Sequence, residues 1–203
     1  MVIVIDTSSA CFAVAVLSAG GVPQADSVAP AGREQDLRAQ VLGLVSPERL
    51  TRVAVATGPG SFTGLRVGAA YALGLAIGRR IPIHGVPTLE LAALRARVPA
   101  TGLSEAGRGR VYFQPPGGAA AVGEPVEVPT SHPAVGWLRE RTAASLRAAG
   151  VRLLEEPELR RFGEAAARAM ELAPELAYGR LTLEYMQSFE ALVGPRKIAD
   201  FSG

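Results

Sequence analysis

The chain has 203 residues, 48% hydrophobic and 20% charged, which is enough apolar side chain for a packed core and excludes wholesale disorder. Its 21 Lys and Arg stand against 19 Asp and Glu, a net charge of +2, which argues against a protein that grips nucleic acid by overall charge. The single cysteine, Cys11, can form no internal disulfide, as suits a reducing compartment.

Met1 to Asp6 is a short apolar run ending in an acid, the pattern of a central strand. Cys11 to Leu17 and Val22 to Val28 read as the second and third strands, with Gly20-Gly21 as the hairpin turn between them. Cys11 lies in the alternating apolar run and reads as a buried structural thiol. From Gln35 to Val45, the residues Leu37, Val41, Leu44 and Val45 fall at i, i+4, i+7 and i+8, the stripe of an amphipathic helix. Arg52 to Thr57, small and β-branched, is a fourth strand buried on both faces. Gly58 to Ser61 is a turn, and Thr63 to Arg79 a long helix ended by Pro82. Ile81 to Gly85 reads as a fifth strand and Thr88 to Arg97 as a helix capped by Thr88. The apolar stretch Val67 to Ile77, closed by Arg79 and Arg80, is too short for a membrane span. No basic segment precedes the first apolar run, so no signal peptide is expected.

The order β-β-β-α-β-α-β-α predicts an α/β fold, a mixed five-stranded sheet flanked by helices, as in the ribonuclease-H-like domain that builds the actin-like (ASKHA) proteins. Pro99 to Gly123 is rich in Gly, Ala and Pro; within it Arg110 to Gln114 reads as a strand, followed by Val122 to Val128. Trp137 to Ala149 and Pro157 to Leu172 look helical, with a short strand at Val151 to Leu154. This predicts two tandem ribonuclease-H-like domains, residues 1–98 and a reduced copy over 99–203 whose last segment packs back on the first.

The most distinctive stretch is Gly58-Pro59-Gly60-Ser61-Phe62-Thr63-Gly64-Leu65-Arg66-Val67-Gly68, a strand end, a glycine turn and a helix start. Unpaired amides at such a helix start favour anions. It matches no phosphate motif, however: a P-loop lacks its Lys, and Thr63 stands where GxGxxG needs its third glycine. A nucleophile elbow around Ser61 fails because Pro59 and Thr63 replace the flanking glycines. The simpler reading is a turn with Ser61 as N-cap. Beyond it Gly64, Gly68 and Ala72 recur every four residues, and Gly74 and Gly78 repeat the spacing. Such a smooth stripe suits close packing on the sheet or against a partner helix.

Asp6-Thr7-Ser8 ends the first strand, where actin-like kinases place an acid near metal and phosphate; Ser8 stands in place of their glycine, and a turn-capping Asp is the plainer reading. No metal site is expected, since His84 and His132 form no HxxxH or HExxH pair. Lys197 is the only Lys, so the Arg-rich cation set reads as composition bias and not as a phosphate-binding patch.

Three segments carry a family resemblance: Ile3 to Ser8, the run Gly58 to Gly68, and Gly85-Val86-Pro87-Thr88-Leu89. Together they resemble the TsaB (YeaZ) family of the tRNA threonylcarbamoyladenosine pathway. The resemblance implies a cytoplasmic, non-catalytic scaffold with no membrane contact. Its partners would be a TsaD homologue and a TsaE homologue, acting on adenosine 37 of tRNAs that read ANN codons. It implies a partner interface on the helices Gln35 to Val45 and Thr63 to Arg79, through Leu37, Val41, Leu44, Val45, Gly64, Arg66, Val67, Gly68, Tyr71, Ala72 and Leu75. Alone, the chain could self-pair through the same helices. No cofactor is expected in the isolated chain, with Asp6, Thr7 and Ser8 as weak candidates; ATP or ADP with Mg would belong to the complex with TsaD and TsaE, and tRNA would be met only through that complex.

The chain departs from the family at Arg33-Glu34-Gln35, at Glu105-Ala106-Gly107-Arg108-Gly109-Arg110-Val111-Tyr112 and at Leu183-Glu184-Tyr185-Met186-Gln187. The alternative function is an ATP-dependent small-molecule kinase of the same fold, which needs a phosphate loop in each half and a base. A peptidase would need a catalytic constellation that the chain does not display.

Overall fold

Alternating apolar side chains place both faces of the leading strands in a core, and the computed structural model, described over residues 1–31 and 37–186, is built around them. Strands β1 (Val2–Asp6), β2 (Cys11–Leu17) and β3 (Pro23–Pro30) form an antiparallel meander. The hairpin turn falls at Gly21, whose φ of +82° requires glycine. Strand β4 (Arg52–Gly58) joins β1 in parallel, and β5 (Ile83–Pro87) joins β4 in parallel. A short late strand, β10 (Glu175–Leu176), adds to β5. The sheet therefore has six strands in the order β10-β5-β4-β1-β2-β3, one more than the sequence predicts.

One face of this sheet, with Ile3, Ile5, Val53 and Val55, is covered by α1 (Leu37–Leu44) and α2 (Phe62–Arg79). The other face, with Val2, Val4 and Ala54, is covered by Leu91 of α3 (Thr88–Ala93) and by Phe162, Ala165, Ala166 and Ala169 of α5 (Phe162–Leu172). A helix from the second half of the chain thus covers the first sheet.

The second sheet has the order β8-β7-β6-β9. Strand β6 (Thr101–Gly107) pairs antiparallel with β7 (Arg110–Gln114), which pairs with β8 (Ala121–Gly123); β9 (Ala134–Val135) runs parallel to β6. Strand β6 carries small residues that read as loop in the sequence. They are small because the strand lies on α3: a Cβ on Gly102 would overlap the Leu89 carbonyl oxygen.

Several boundaries shift for local reasons. Helix α2 stops at a left-handed Arg80, and the Ile81 amide turns back to Ala76, so β5 starts two residues late. The strand expected over Val122 to Val128 ends at Gly123, because Pro125–Glu127 forms a 3-10 turn. Helix α4 (Glu140–Ala148) begins after Trp137, which instead packs on Phe162 with ring centroids 5.6 Å apart. Val151 to Leu154 contributes one bridge, Leu153 to Ala134, and no strand. The helix expected from Pro157 is a separate 3-10 turn at Glu156–Glu158, followed by α5. Thr88 is not a cap; its hydroxyl oxygen accepts from the Gly58 amide at 3.1 Å.

Arg95 joins the halves of the chain. It is 4% exposed, stacks 4.4 Å from the Trp137 ring and donates twice to Glu156 at 2.8 Å. Phe162 is 1% exposed and ties α5 to the sheet. Phe162→Ala is expected to cost about 3–5 kcal/mol in urea unfolding, since it opens a cavity under α5.

Candidate functional site

The turn between β4 and α2 sits against the end of β1, and the fit explains its glycines. Thr7 Oγ1 donates to the Gly64 carbonyl at 2.7 Å, and the Ser61 amide donates to the Ser8 carbonyl at 2.7 Å. A Cβ on Gly60 would overlap the Ser8 carbonyl, one on Gly64 the Thr7 carbonyl, and one on Gly68 the Thr7 hydroxyl. The glycines at four-residue spacing are therefore the seat of the Thr7-Ser8 backbone. Ser61 caps α2 as expected, accepting from the Gly64 amide at 3.2 Å. Gly58, at φ +109° and followed by a cis bond to Pro59, lies under the Glu184 carbonyl.

Asp6 is 3% exposed and turned inward. Its Oδ1 accepts from the Ser8 amide at 2.9 Å and the Ser8 hydroxyl at 2.5 Å. Burial pushes the carboxyl pKa up, against the opposing pull of the Ser8 hydrogen bonds and Arg95. Beside the turn lies a cleft of ≈ 440 Å³ lined by Thr7, Ser8, Ser61, Thr63, Glu105 and Arg139 among others; Asp6 does not line it. The hydroxyls of Thr7, Ser8 and Ser61 are engaged within the chain, as is the Glu105 carboxylate, which accepts from Arg139 N and Thr142 Oγ1 at 2.8 Å. That donor set does not fit a chelated metal–nucleotide held by this chain alone. Among the described residues no cluster of His, Cys, Asp or Glu could hold a metal ion. His84 Nδ1 lies 3.1 Å from the Ala173 carbonyl, and His132 Nδ1 3.1 Å from the Ser131 hydroxyl.

The residues expected to form a partner surface divide. Leu37, Val41, Val45, Gly64, Gly68 and Ala72 are buried within the chain's own fold, so they are corrected to core positions. Leu44, Tyr71 and Leu75 are half-buried and pack against the same core. The amphipathic stripe faces the sheet because the sheet is the larger apolar surface within reach. Arg66 and Val67 are exposed, and with them Phe62, Thr63, Ala70, Gly74 and Ile77 on the outer face of α2. Sequence reasoning missed Ile77 and did not foresee that Tyr185 would stack on Phe62 at 5.2 Å, while Arg66 covers the same ring at 5.1 Å. No local signal links positions so far apart in sequence. Arg33-Glu34-Gln35 and Gln187 lie outside the described residues.

A family model described as TsaD, tRNA N6-adenosine threonylcarbamoyltransferase, matches residues 41–128. The TsaB protein of Bacillus subtilis is 43% identical over 53 residues, 26% of this chain and 23% of that protein. The TsaB protein of Escherichia coli is 32% identical over 93 residues, 43% of this chain and 40% of that protein. YeaZ from Pseudomonas aeruginosa superposes with a TM-score of 0.69 at 19% identity, covering 91% of this chain and 99% of the other. The chain is similar to TsaB proteins in sequence and to YeaZ in fold. The sequence matches span well under two thirds of the curated relatives, whereas the YeaZ-like fold covers 91% of this chain. The seat of Thr7 and Ser8 on α2 gives a physical reason for the Gly58–Gly68 run.

Two glycines on α2 should behave oppositely. Gly64→Ala is expected to lose at least about 2 kcal/mol in chemical denaturation, because backbone must move. Gly74→Ala, with open space around its Cβ position, should gain about 0.5–1 kcal/mol from helix propensity.

Asp6 makes stability pH-dependent. Its pKa is raised above the ordinary 3.8, so its contribution is complete below that pH and is lost as pH rises through the folded-state value. Asp6→Asn keeps an Oδ1 acceptor for Ser8 and stays neutral. In thermal unfolding scans its Tm should gain on the wild type as pH increases from about 4 to 7.5; a constant difference would count against a burial-raised carboxyl.

Proposed function

We propose that this chain is a non-catalytic partner of a TsaD homologue in the tRNA threonylcarbamoyladenosine pathway, acting with a TsaE homologue on adenosine 37 of tRNAs that read ANN codons. The relatives' names as tRNA threonylcarbamoyladenosine biosynthesis proteins support the pathway. The observation that carries the partner role is the division of α2 into two faces. Its glycine side is filled by Thr7 and Ser8, while Phe62, Val67 and Ile77 are 43%, 42% and 54% exposed on the other. Large apolar side chains gathered on one side of a helix suit a docking surface.

The internal use of Asp6, Thr7 and Ser8 supports the non-catalytic reading over a kinase, since a kinase needs those groups for metal and phosphate. Any nucleotide with Mg would then be held jointly with TsaD and TsaE. The same outer face would serve self-pairing when the partner is absent.

The test is calorimetric titration of the purified chain with the TsaD homologue of its own organism, with and without ATP. Val67→Asp with Ile77→Asp should weaken binding at least about 100-fold, because both carboxylates would be desolvated at the contact. Unchanged affinity would move the contact off α2. ATP turnover by the chain alone would favour the kinase reading.

A further inference from the structure

A basic concavity adjoins the cleft beside α2. A cavity of ≈ 530 Å³ between the β6–β7 hairpin and the start of α4 is lined by Glu105, Arg108, Arg110, Arg139, Arg141 and Ser145, among others. Four guanidinium groups thus surround it with one carboxylate. That carboxylate is engaged: Glu105 accepts from the Arg139 amide and the Thr142 hydroxyl and pairs with Arg139 Nε at 3.5 Å. Arg110 donates to the Val122 carbonyl at 3.2 Å, which holds it on the sheet. Arg141 is exposed, and its side chain has no hydrogen bond or ion pair among the described residues.

Several other arginines meet acids. Arg147 meets Glu140 and Glu155, Arg152 meets Glu158, Arg95 meets Glu156 and Arg161 meets Asp26. Four arginines and one carboxylate line this cavity, although the whole chain carries only +2. The hairpin adds a second observation. Gly107 pairs with Arg110, leaving Arg108-Gly109 as a two-residue turn with φ of 52° and 79°. Both central positions of such a turn favour Asn, Asp or Gly. Here an arginine occupies the first at a conformational cost, which is the kind of local strain that points to function.

We propose that this concavity binds the phosphodiester backbone of RNA, with Arg108 and Arg141 contacting phosphates from opposite walls. The proposal rests on the tRNA-modification reading for the identity of the RNA, and it replaces the expectation that the arginines reflect composition alone. Three features favour an RNA strand over a free nucleotide. The arginines that line the walls are mostly exposed, no aromatic side chain lines the cavity to hold a base, and the site runs on into the neighbouring cleft through Glu105 and Arg139, which line both.

The test uses the full chain, alone and mixed with its TsaD homologue, titrated against a fluorescein-labelled unmodified tRNA transcript at several salt concentrations. Arg108→Ala with Arg141→Ala should weaken binding about tenfold at low salt and reduce the slope of log K on log salt by about 1.5. Arg141→Glu, an exposed change that leaves the hairpin intact, should weaken it further than Arg141→Ala. The control pair Arg147→Ala with Arg152→Ala should stay within about twofold. Equal affinity and slope in variant and wild type, equal loss in the control, or no RNA binding by chain or mixture would each overturn the proposal. So would arginine-dependent binding of ATP without arginine-dependent binding of RNA. Complex formation with the TsaD homologue, followed by size-exclusion chromatography, separates the two readings. An intact complex with arginine-independent RNA binding sinks this inference alone. Loss of the complex sinks the partner role, while arginine-dependent RNA binding by the chain alone would still uphold the site.

Discussion

The contact on which the structure depends is the approach of the Thr7-Ser8 backbone to the glycine side of α2. Two carbonyl oxygens and one hydroxyl occupy the space where side chains of residues 60, 64 and 68 would stand. Hydrogen bonds from Thr7 Oγ1 to Gly64 and from the Ser61 amide to Ser8 hold the two elements at that separation. A helix this rich in glycine is intrinsically costly, at about 1 kcal/mol for each glycine relative to Ala. The close packing supplies the compensation for Gly64 and Gly68, and nothing comparable touches Gly74 or Gly78.

This contact also sets the chemistry of the cleft beside it. With Thr7 and Ser8 committed to the turn and Asp6 held inward by Ser8, the groups that an actin-like kinase offers to metal and phosphate are already in use. Phe62, Val67 and Ile77 stand exposed on the face of α2 opposite that contact. The late chain segment then closes over the turn. The Glu184 amide donates to the Thr57 carbonyl at 2.8 Å, and Tyr185 stacks on Phe62. Residues from both ends of the chain therefore shape one surface.

The second half shows a related separation of roles. Helix α5 and β10 complete the first sheet, while the four strands from 101 to 135 form a smaller sheet of their own. Arg95, between Trp137 and Glu156, links the two by a buried guanidinium with a stacked ring and a paired acid. At the β6–β7 hairpin of the smaller sheet, four arginines and one carboxylate line a single cavity.

Sequence alone determined the features governed by short-range periodicity and turn chemistry. The alternation in β1, β2 and β4, the run of α2, its Ser61 cap and the β7 strand all follow from local side-chain pattern and backbone preference. The family resemblance was legible too, because a glycine-rich turn tolerates few substitutes where backbones touch. Tertiary structure decided what each face meets. Periodicity identifies an apolar stripe without saying whether its counterpart is the chain's own sheet or another protein, so Leu37, Val41, Gly68 and Ala72 looked available and proved to be core. Likewise the small residues of β6 resembled a loop until α3 lay against them, and the sixth strand required β10 to return from far along the chain. Pairings such as Tyr185 with Phe62 and Arg139 with Glu105 depend on long-range closure, and local sequence carries no record of which distant segment arrives.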